Sequence, residues 1–193
     1  MGKRIFDLVF SALGLIILSP VILVAAIGVK LSSPGPVFFR QERVGRNFNV
    51  FRICKFRTMR SNAVSDPPIT VYGDPRVTRF GRFLRRTKLD EIPQLFNVFK
   101  GEMSFVGPRP EVRFYVEKFR ADYEEILKVR PGITDEASIE FRHEGALLAA
   151  ASDPQDLYLR QVLPRKIELA HRYVRNGRMF DDLSIIIRTL MHL

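Results

Sequence analysis

The chemically richest stretch of this 193-residue chain runs from Arg85 to Pro110, RRTKLDEIPQLFNVFKGEMSFVGPRP. Two adjacent carboxylates, Asp90 and Glu91, stand just before Pro93, a residue favoured in a first helical turn. There the positive end of the helix stabilises anions and lowers carboxylate pKa values. Arg85, Arg86 and Lys88 crowd cations around the pair. Taken alone, the pair reads first as an ordinary acidic helix start with Thr87 as N-cap.

Its surroundings change that reading. Lys55-Phe56-Arg57-Thr58-Met59 carries two cations one residue apart, on one face of an extended chain. Gly107-Pro108-Arg109-Pro110 is a rigid turn that directs one arginine, because proline restricts its own φ and its predecessor. Arg130-Pro131-Gly132-Ile133-Thr134 repeats the device. Rigid cations beside two carboxylates suit phosphoryl transfer, in which cations and Mg²⁺ neutralise phosphate oxygens while a positioned nucleophile attacks in line.

The elements that must position these groups begin at a membrane. From Leu8 to Val29 no residue is charged, and the run reaches the roughly 20 apolar residues of a spanning helix. Ser19-Pro20 interrupts it, so the helix should bend there, with the Ser19 hydroxyl as a partner for freed backbone groups. Basic residues flank both ends: Lys3 and Arg4 before, Lys30, Arg40, Arg43 and Arg46 after. Basic flanks prefer the cytoplasmic side, so a re-entrant helix satisfies both, with a kinked full span as the alternative. No cleavage pattern favours a signal peptide.

Beyond a Ser32–Pro36 turn cluster, Val37–Phe39 and Phe48–Ile53 read as strands joined through Gly45-Arg46-Asn47. Residues 60 to 76 read as a surface loop. Arg76 to Lys88 interleaves cations with Phe80, Phe83 and Leu84, either as an interfacial helix with rings in lipid or as a solvated basic face. Helical patterns follow over Ile92–Phe99, Glu111–Val129, Tyr158–Val174 and Asp182–Met191. The expectation is an α+β, mostly helical chain, with residues 1–31 as a re-entrant membrane helix and 32–193 as one catalytic domain. That domain would combine a small β element with amphipathic interfacial helices.

Composition narrows the partners. A net charge of +10 points to an anion: nucleic acid, an acidic membrane or phosphorylated ligands. No nucleic-acid-binding module is present, and a basic surface binder leaves the acidic pair inside the basic cluster unexplained. The single cysteine, Cys54, excludes an intrachain disulfide and reads as a packing residue. The three histidines show no zinc spacing.

KFRTM, the run DPRVTRFGRFLRRTKLDEIPQLFNVFKGEMSFVGPRP, RPGIT and the hydrophobic N-terminus with its Ser-Pro resemble the bacterial sugar transferase family of monotopic phosphoglycosyl transferases. The resemblance covers residues 2 to about 134. It implies transfer of a sugar 1-phosphate from a UDP-sugar to undecaprenyl phosphate, releasing UMP through a covalent phosphosugar-aspartate. It also implies dependence on Mg²⁺, contact with membrane lipids, and an active site on the cytoplasmic face of the bacterial inner membrane. Such a step opens assembly of an exopolysaccharide, O-antigen, capsule or glycoprotein. On the matching positions, Asp90 would be nucleophile and magnesium contact, and Glu91 its partner in metal or proton handling. Lys55, Arg57, Arg85 and Arg109 would hold phosphates, and Ser19 and Pro20 would make the membrane break. After residue 134 the chain departs from the family pattern, reading DEASIEFR over 135–142, a segment expected to face the sugar. Hydrolysis of the same pyrophosphate is the competing reaction.

Overall fold

Pro20 divides the apolar N-terminal run into α1 (Gly2–Ile17) and α2 (Ser19–Ser32), bent by 62°. Proline has no N–H for the carbonyl four residues back, which here is Ile16. The Ser19 hydroxyl donates to that carbonyl at 2.8 Å. Backbone bonds from Leu18 to Gly14 and from Ile22 to Leu18 carry the chain through the bend. Among the described residues no single helix is long and apolar enough to cross a membrane, whereas α1 and α2 together have that length and composition. The computed structural model describes residues 2–60, 71–177 and 179–191.

The next elements are the hairpin β1 (Phe38–Val44) and β2 (Val50–Phe56), followed by α3 (Arg79–Arg86), a 3₁₀ turn over Leu89–Gln94, and α4 (Leu95–Lys100). Then come β3 (Ser104–Val106), α5 (Arg113–Lys118), α6 (Arg120–Ile126), β4 (Gly132–Thr134), α7 (Glu136–Glu140), α8 (Glu144–Ala149) and α9 (Pro154–Leu157). A π turn over Tyr158–Val162 leads into α10 (Leu163–Asn176), and α11 is Met179–Met191. The chain is mostly helical with a small β component, as expected. That component comprises the antiparallel β1–β2 pair and a short parallel β3–β4 pair that sequence patterning missed.

Two other expectations needed correction. The helical pattern over Glu111–Val129 is two helices, because Phe119 leaves helical geometry at φ −118°, ψ 37°. The basic segment is a helix whose two rings, with centroids 5.9 Å apart, meet unequal surroundings: Phe80 packs on Gly28 of α2, while Phe83 stands 52% exposed on the face of Arg79, Arg82 and Arg86. Residues 61–70 of the expected 60–76 loop lie outside the described residues.

Both halves of the bent pair dock on the rest of the chain. Arg4 donates to the C-terminal carbonyls of α4 at Val98 (2.7 Å), which also accepts from the Gly101 N–H, and at Phe99 (2.8 Å). Asp7, 2% exposed, accepts from the Ser104 hydroxyl and the Phe105 N–H. On the other side, Ala25 and Val29 of α2 form one core with Phe56 and Leu84. The largest core joins Tyr115, Val116, Tyr123, Ile126, Leu148, Tyr158 and Leu163.

β3 and β4 meet at an unusually close approach. A Cβ on Gly132 would lie 2.2 Å from the Gly107 nitrogen, and one on Gly107 would lie 2.4 Å from the Arg130 carbonyl oxygen. Only glycine allows the two loops to lie back to back, which bears directly on where Arg109 points.

Candidate active site

Four chain segments bring the chemically active side chains to one cavity of about 1140 Å³. β2 carries Lys55. Its neighbour Cys54 donates its N–H to the Asn97 side-chain oxygen (2.9 Å), and Asn97 returns a bond to the Arg52 carbonyl (2.8 Å), so β2 is stitched to α4. α3 carries Arg85, whose Nε donates to the Thr58 hydroxyl at 2.8 Å. Thr78 caps α3 by accepting from the Gly81 N–H at 2.9 Å. Gly81 itself touches the Thr58 backbone, and a Cβ there would sit 2.1 Å from the Thr58 oxygen.

Asp90 and Glu91 lie in the 3₁₀ turn, entered through Lys88 at a left-handed φ of 56°. Thr87 does not cap this turn: it closes α3, its hydroxyl donating to the Phe83 carbonyl. The acidic pair therefore has a structural start different from the N-cap that Thr87 seemed to offer. The two carboxylates also face different surroundings. One Glu91 oxygen accepts from Lys55 Nζ and from Arg109 Nη2, both at 2.7 Å. Burial opposes its charge, but Arg109 and Lys55 together hold Glu91 well below the usual carboxylate range. Asp90 is 9% exposed, and its Oδ1 is buried with no hydrogen-bond partner. Burial, with Glu91 adding repulsion, pushes its pKa up against the pull of Lys55, Arg85 and Lys88. The lowered pKa expected for both carboxylates thus holds for Glu91 and is reversed for Asp90.

Arg109 is fixed at backbone and tip. Its N–H donates to Asp135 at 3.0 Å, and Gly132 donates to the Pro108 carbonyl at 3.0 Å. The other Asp135 oxygen caps α7 through the Ser138 N–H at 2.7 Å. Neighbouring Glu91 raises the Arg109 pKa against burial. Arg57 takes another position from the one its spacing implies. It lines the cavity, yet its guanidinium donates to the carbonyls of Ser33 (2.6 Å) and Pro34, bracing the chain that leaves α2.

Among the described residues lining the cavity, cations outnumber carboxylates eleven to four. A low-dielectric recess of that charge, with an ionised acid fixing two of its cations, is built for a polyanion. No cluster of three or more metal-ligating side chains occurs among the described residues. Mg²⁺ characteristically uses only one or two carboxylates and completes its shell with substrate phosphates and water, which the unpartnered Asp90 oxygen fits.

The family model for bacterial sugar transferases matches residues 1–193. The chain belongs to the bacterial sugar transferase family. The exopolysaccharide production protein PSS of Rhizobium leguminosarum bv. phaseoli is 43% identical over 98% of this chain and 93% of its own length. The UDP-glucose:undecaprenyl-phosphate glucose-1-phosphate transferase of Escherichia coli K12 is 39% identical over 97% of this chain and 39% of its own length. A UDP-N-acetylgalactosamine-undecaprenyl-phosphate N-acetylgalactosaminephosphotransferase of Aeromonas hydrophila is 38% identical over 97% of this chain and 42% of its own length. The chain spans about two fifths of the length of the Escherichia coli and Aeromonas hydrophila relatives.

Within this sugar transferase chain, several contributors escaped sequence reasoning. Asn97 reads as one polar residue in an apolar helix, and nothing local reveals that it bonds β2. Asp135 did carry a signal, since an acid three residues before Ser138 is an N-cap pattern. Glu111 and Tyr158, hydrogen-bonded at 2.8 Å across 47 residues, left none.

Proposed function

We propose that the chain transfers a sugar 1-phosphate from a UDP-sugar to undecaprenyl phosphate and releases UMP. The observation that carries this reading is the division of labour between the adjacent acids: Glu91 saturated by two cations, Asp90 buried with a free oxygen on the same anion-binding cavity. In the first step an Asp90 oxygen attacks the phosphorus that bears the sugar, and the bond to UMP breaks. In the second, an oxygen of the lipid phosphate attacks the same phosphorus and frees Asp90. Splitting the transfer in this way is what a carboxylate nucleophile is suited to do. Lys55, Arg85 and Arg109 take the phosphate oxygens, with Glu91 fixing Lys55 and Arg109. Arg57 holds the wall behind them. Bound at Asp90 and the diphosphate, Mg²⁺ would supply further charge neutralisation of the phosphate oxygens.

The acceptor follows from the surface. Ile16, Ile17, Leu23, Val24 and Leu31 of the bent pair are 62–83% exposed, and Phe180 of α11 is 86% exposed. A soluble protein rarely shows so much apolar surface, and the bilayer is the partner that fits it. We read α1 and α2 as re-entrant, with the cavity at the cytoplasmic face of the bacterial inner membrane. The product would open the membrane stage of a glycoconjugate such as an exopolysaccharide. Purified protein with Mg²⁺, undecaprenyl phosphate and either UDP-glucose or UDP-N-acetylgalactosamine should release UMP only when the lipid is present beyond one turnover. Sustained release without lipid would make the chain a hydrolase instead.

Two predictions belong to this reading. Cysteines at positions 3 and 30 in a Cys54→Ser background should both resist an impermeant thiol reagent added to intact spheroplasts, and both react once the membrane is permeabilised. Labelling of one alone would mean a full span. Separately, Arg109→Lys keeps a charge beside Glu91 but cannot offer two parallel donors to phosphate. Activity should fall about 100-fold with the melting temperature near wild type; a parallel loss of both would reduce Arg109 to a brace for the turn.

A further inference from the structure

Unpartnered buried polar atoms cluster around this cavity. Tyr115 Oη, Arg43 Nε and Asp90 Oδ1 all lack a hydrogen-bond partner and all belong to its lining residues. Asp90 is accounted for by the reaction. Tyr115 is not: it is 3% exposed, held between Phe114 and Tyr158 with ring centroids 5.2 and 5.0 Å away, and its hydroxyl bonds nothing. A buried donor left unmade is costly and calls for an explanation in a folded chain.

Its neighbours show what would complete it. Glu111 accepts from the Tyr158 hydroxyl at 2.8 Å through one oxygen, and its other oxygen lies 3.7 Å from Arg43 Nη1. Arg43 spends Nη2 on Gln41 and Nη1 on the Pro110 carbonyl, leaving Nε unused. Burial raises the Tyr115 pKa and Glu111 adds to it, so the phenol stays a neutral donor. This wall therefore offers two unused donors beside a carboxylate acceptor. A hydroxyl that both gives and receives a hydrogen bond is the group that satisfies such a mixture. Beside it, Lys166 lies over the Tyr158 ring at 4.9 Å and the Phe141 ring at 5.9 Å, which brings in the segment over 135–142 where the chain leaves the family pattern.

We propose that Tyr115, Arg43 and Glu111 form a subsite for the ring hydroxyls of the donor sugar, with Tyr115 the specificity-determining hydrogen-bond donor. This rests on the reading of the cavity as a UDP-sugar site. The distinguishing test is Tyr115→Phe, which deletes one oxygen and nothing else. Because that oxygen is unpaired in the free protein, its removal should leave the melting temperature equal or higher. Its loss should be felt only by a ligand that reaches it.

Binding is measured by calorimetry with Mg²⁺ on the Asp90→Asn protein, which does not consume donor, with and without Tyr115→Phe. The probes are UDP-glucose, UDP-N-acetylgalactosamine and UMP. The tighter-binding UDP-sugar should weaken about tenfold on Tyr115→Phe, and UMP should be unchanged. An unchanged Kd for the UDP-sugar overturns the proposal. So does equal weakening of UMP, which would place Tyr115 at the nucleotide, and so does a UDP-sugar that binds no more tightly than UMP. The transferase reading stands or falls separately, on lipid-dependent UMP release by the wild-type chain.

Discussion

Asp90→Asn is expected to abolish turnover, by about 10⁴-fold or more, without lowering the melting temperature at neutral pH. The amide cannot form the acyl phosphate on which the proposed route depends. The stability half follows from linkage. Burial raises the Asp90 pKa in the folded chain, so its charged form is disfavoured there relative to the unfolded chain. A carboxyl of that kind contributes stability at low pH and loses it as pH rises through the folded pKa. Asparagine, which never ionises, escapes that loss. The same shift places the acid limb of kcat/KM above the ordinary aspartate value of 3.8. Intact mass spectrometry of wild type with donor alone should show an added sugar phosphate that the variant lacks. Normal turnover by Asp90→Asn would end the covalent mechanism.

Glu91→Gln should have the opposite signature, with stability and activity falling together. Glutamine leaves Lys55 and Arg109 adjacent without their shared counter-charge. Stranding buried charges costs about 3–5 kcal/mol, and partial solvent contact of both cations brings the expected loss to about 2–4 kcal/mol. For a chain of this size that is a drop of roughly 4–16 °C. Because the folded chain depresses the Glu91 pKa, its contribution is fully present above the unfolded value near 4.5 and disappears as pH falls through the folded one. The gap in melting temperature between wild type and variant should be constant near neutrality and narrow below about pH 4.5. A gap that widened on acidification would show that the pairing of Glu91 with the two cations is misassigned.

The contrast between these acids marks how far the sequence could be read. Features set by chain neighbours were legible: the bend at Pro20, the β1–β2 hairpin and the end of α4 at Gly101 with φ 86°, whereas the grouping of Lys55, Asp90 and Arg109 on one cavity was legible only through the motifs that carry the family resemblance. What failed depends on contacts across distance. Arg57 follows Lys55 by two residues, as same-face spacing requires, yet it turns to carbonyls that follow α2. Asp90 and Glu91 share a helix end in sequence, but Lys55 and Arg109 reach only the second, so their pKa values part. Periodicity over Glu111–Val129 carried no sign of the break at Phe119, because each half keeps its own apolar face on one core.

The back-to-back glycines at 107 and 132 also make the site depend on a contact distant in the chain. Arg109 has no set direction until those two residues meet, and their meeting closes the loop that contains α5 and α6. Loop closure of that kind carries an entropic cost that only the contacts made at its end offset. The acidic turn has no such dependence, since Asp90 and Glu91 sit between α3 and α4, their neighbours in the chain. Until the loop closes, Glu91 has Lys55 alone for company. The anion cavity thus depends on a contact made by β3 and β4, and a lesion there is expected to misdirect Arg109 while leaving the turn that carries Asp90 in place.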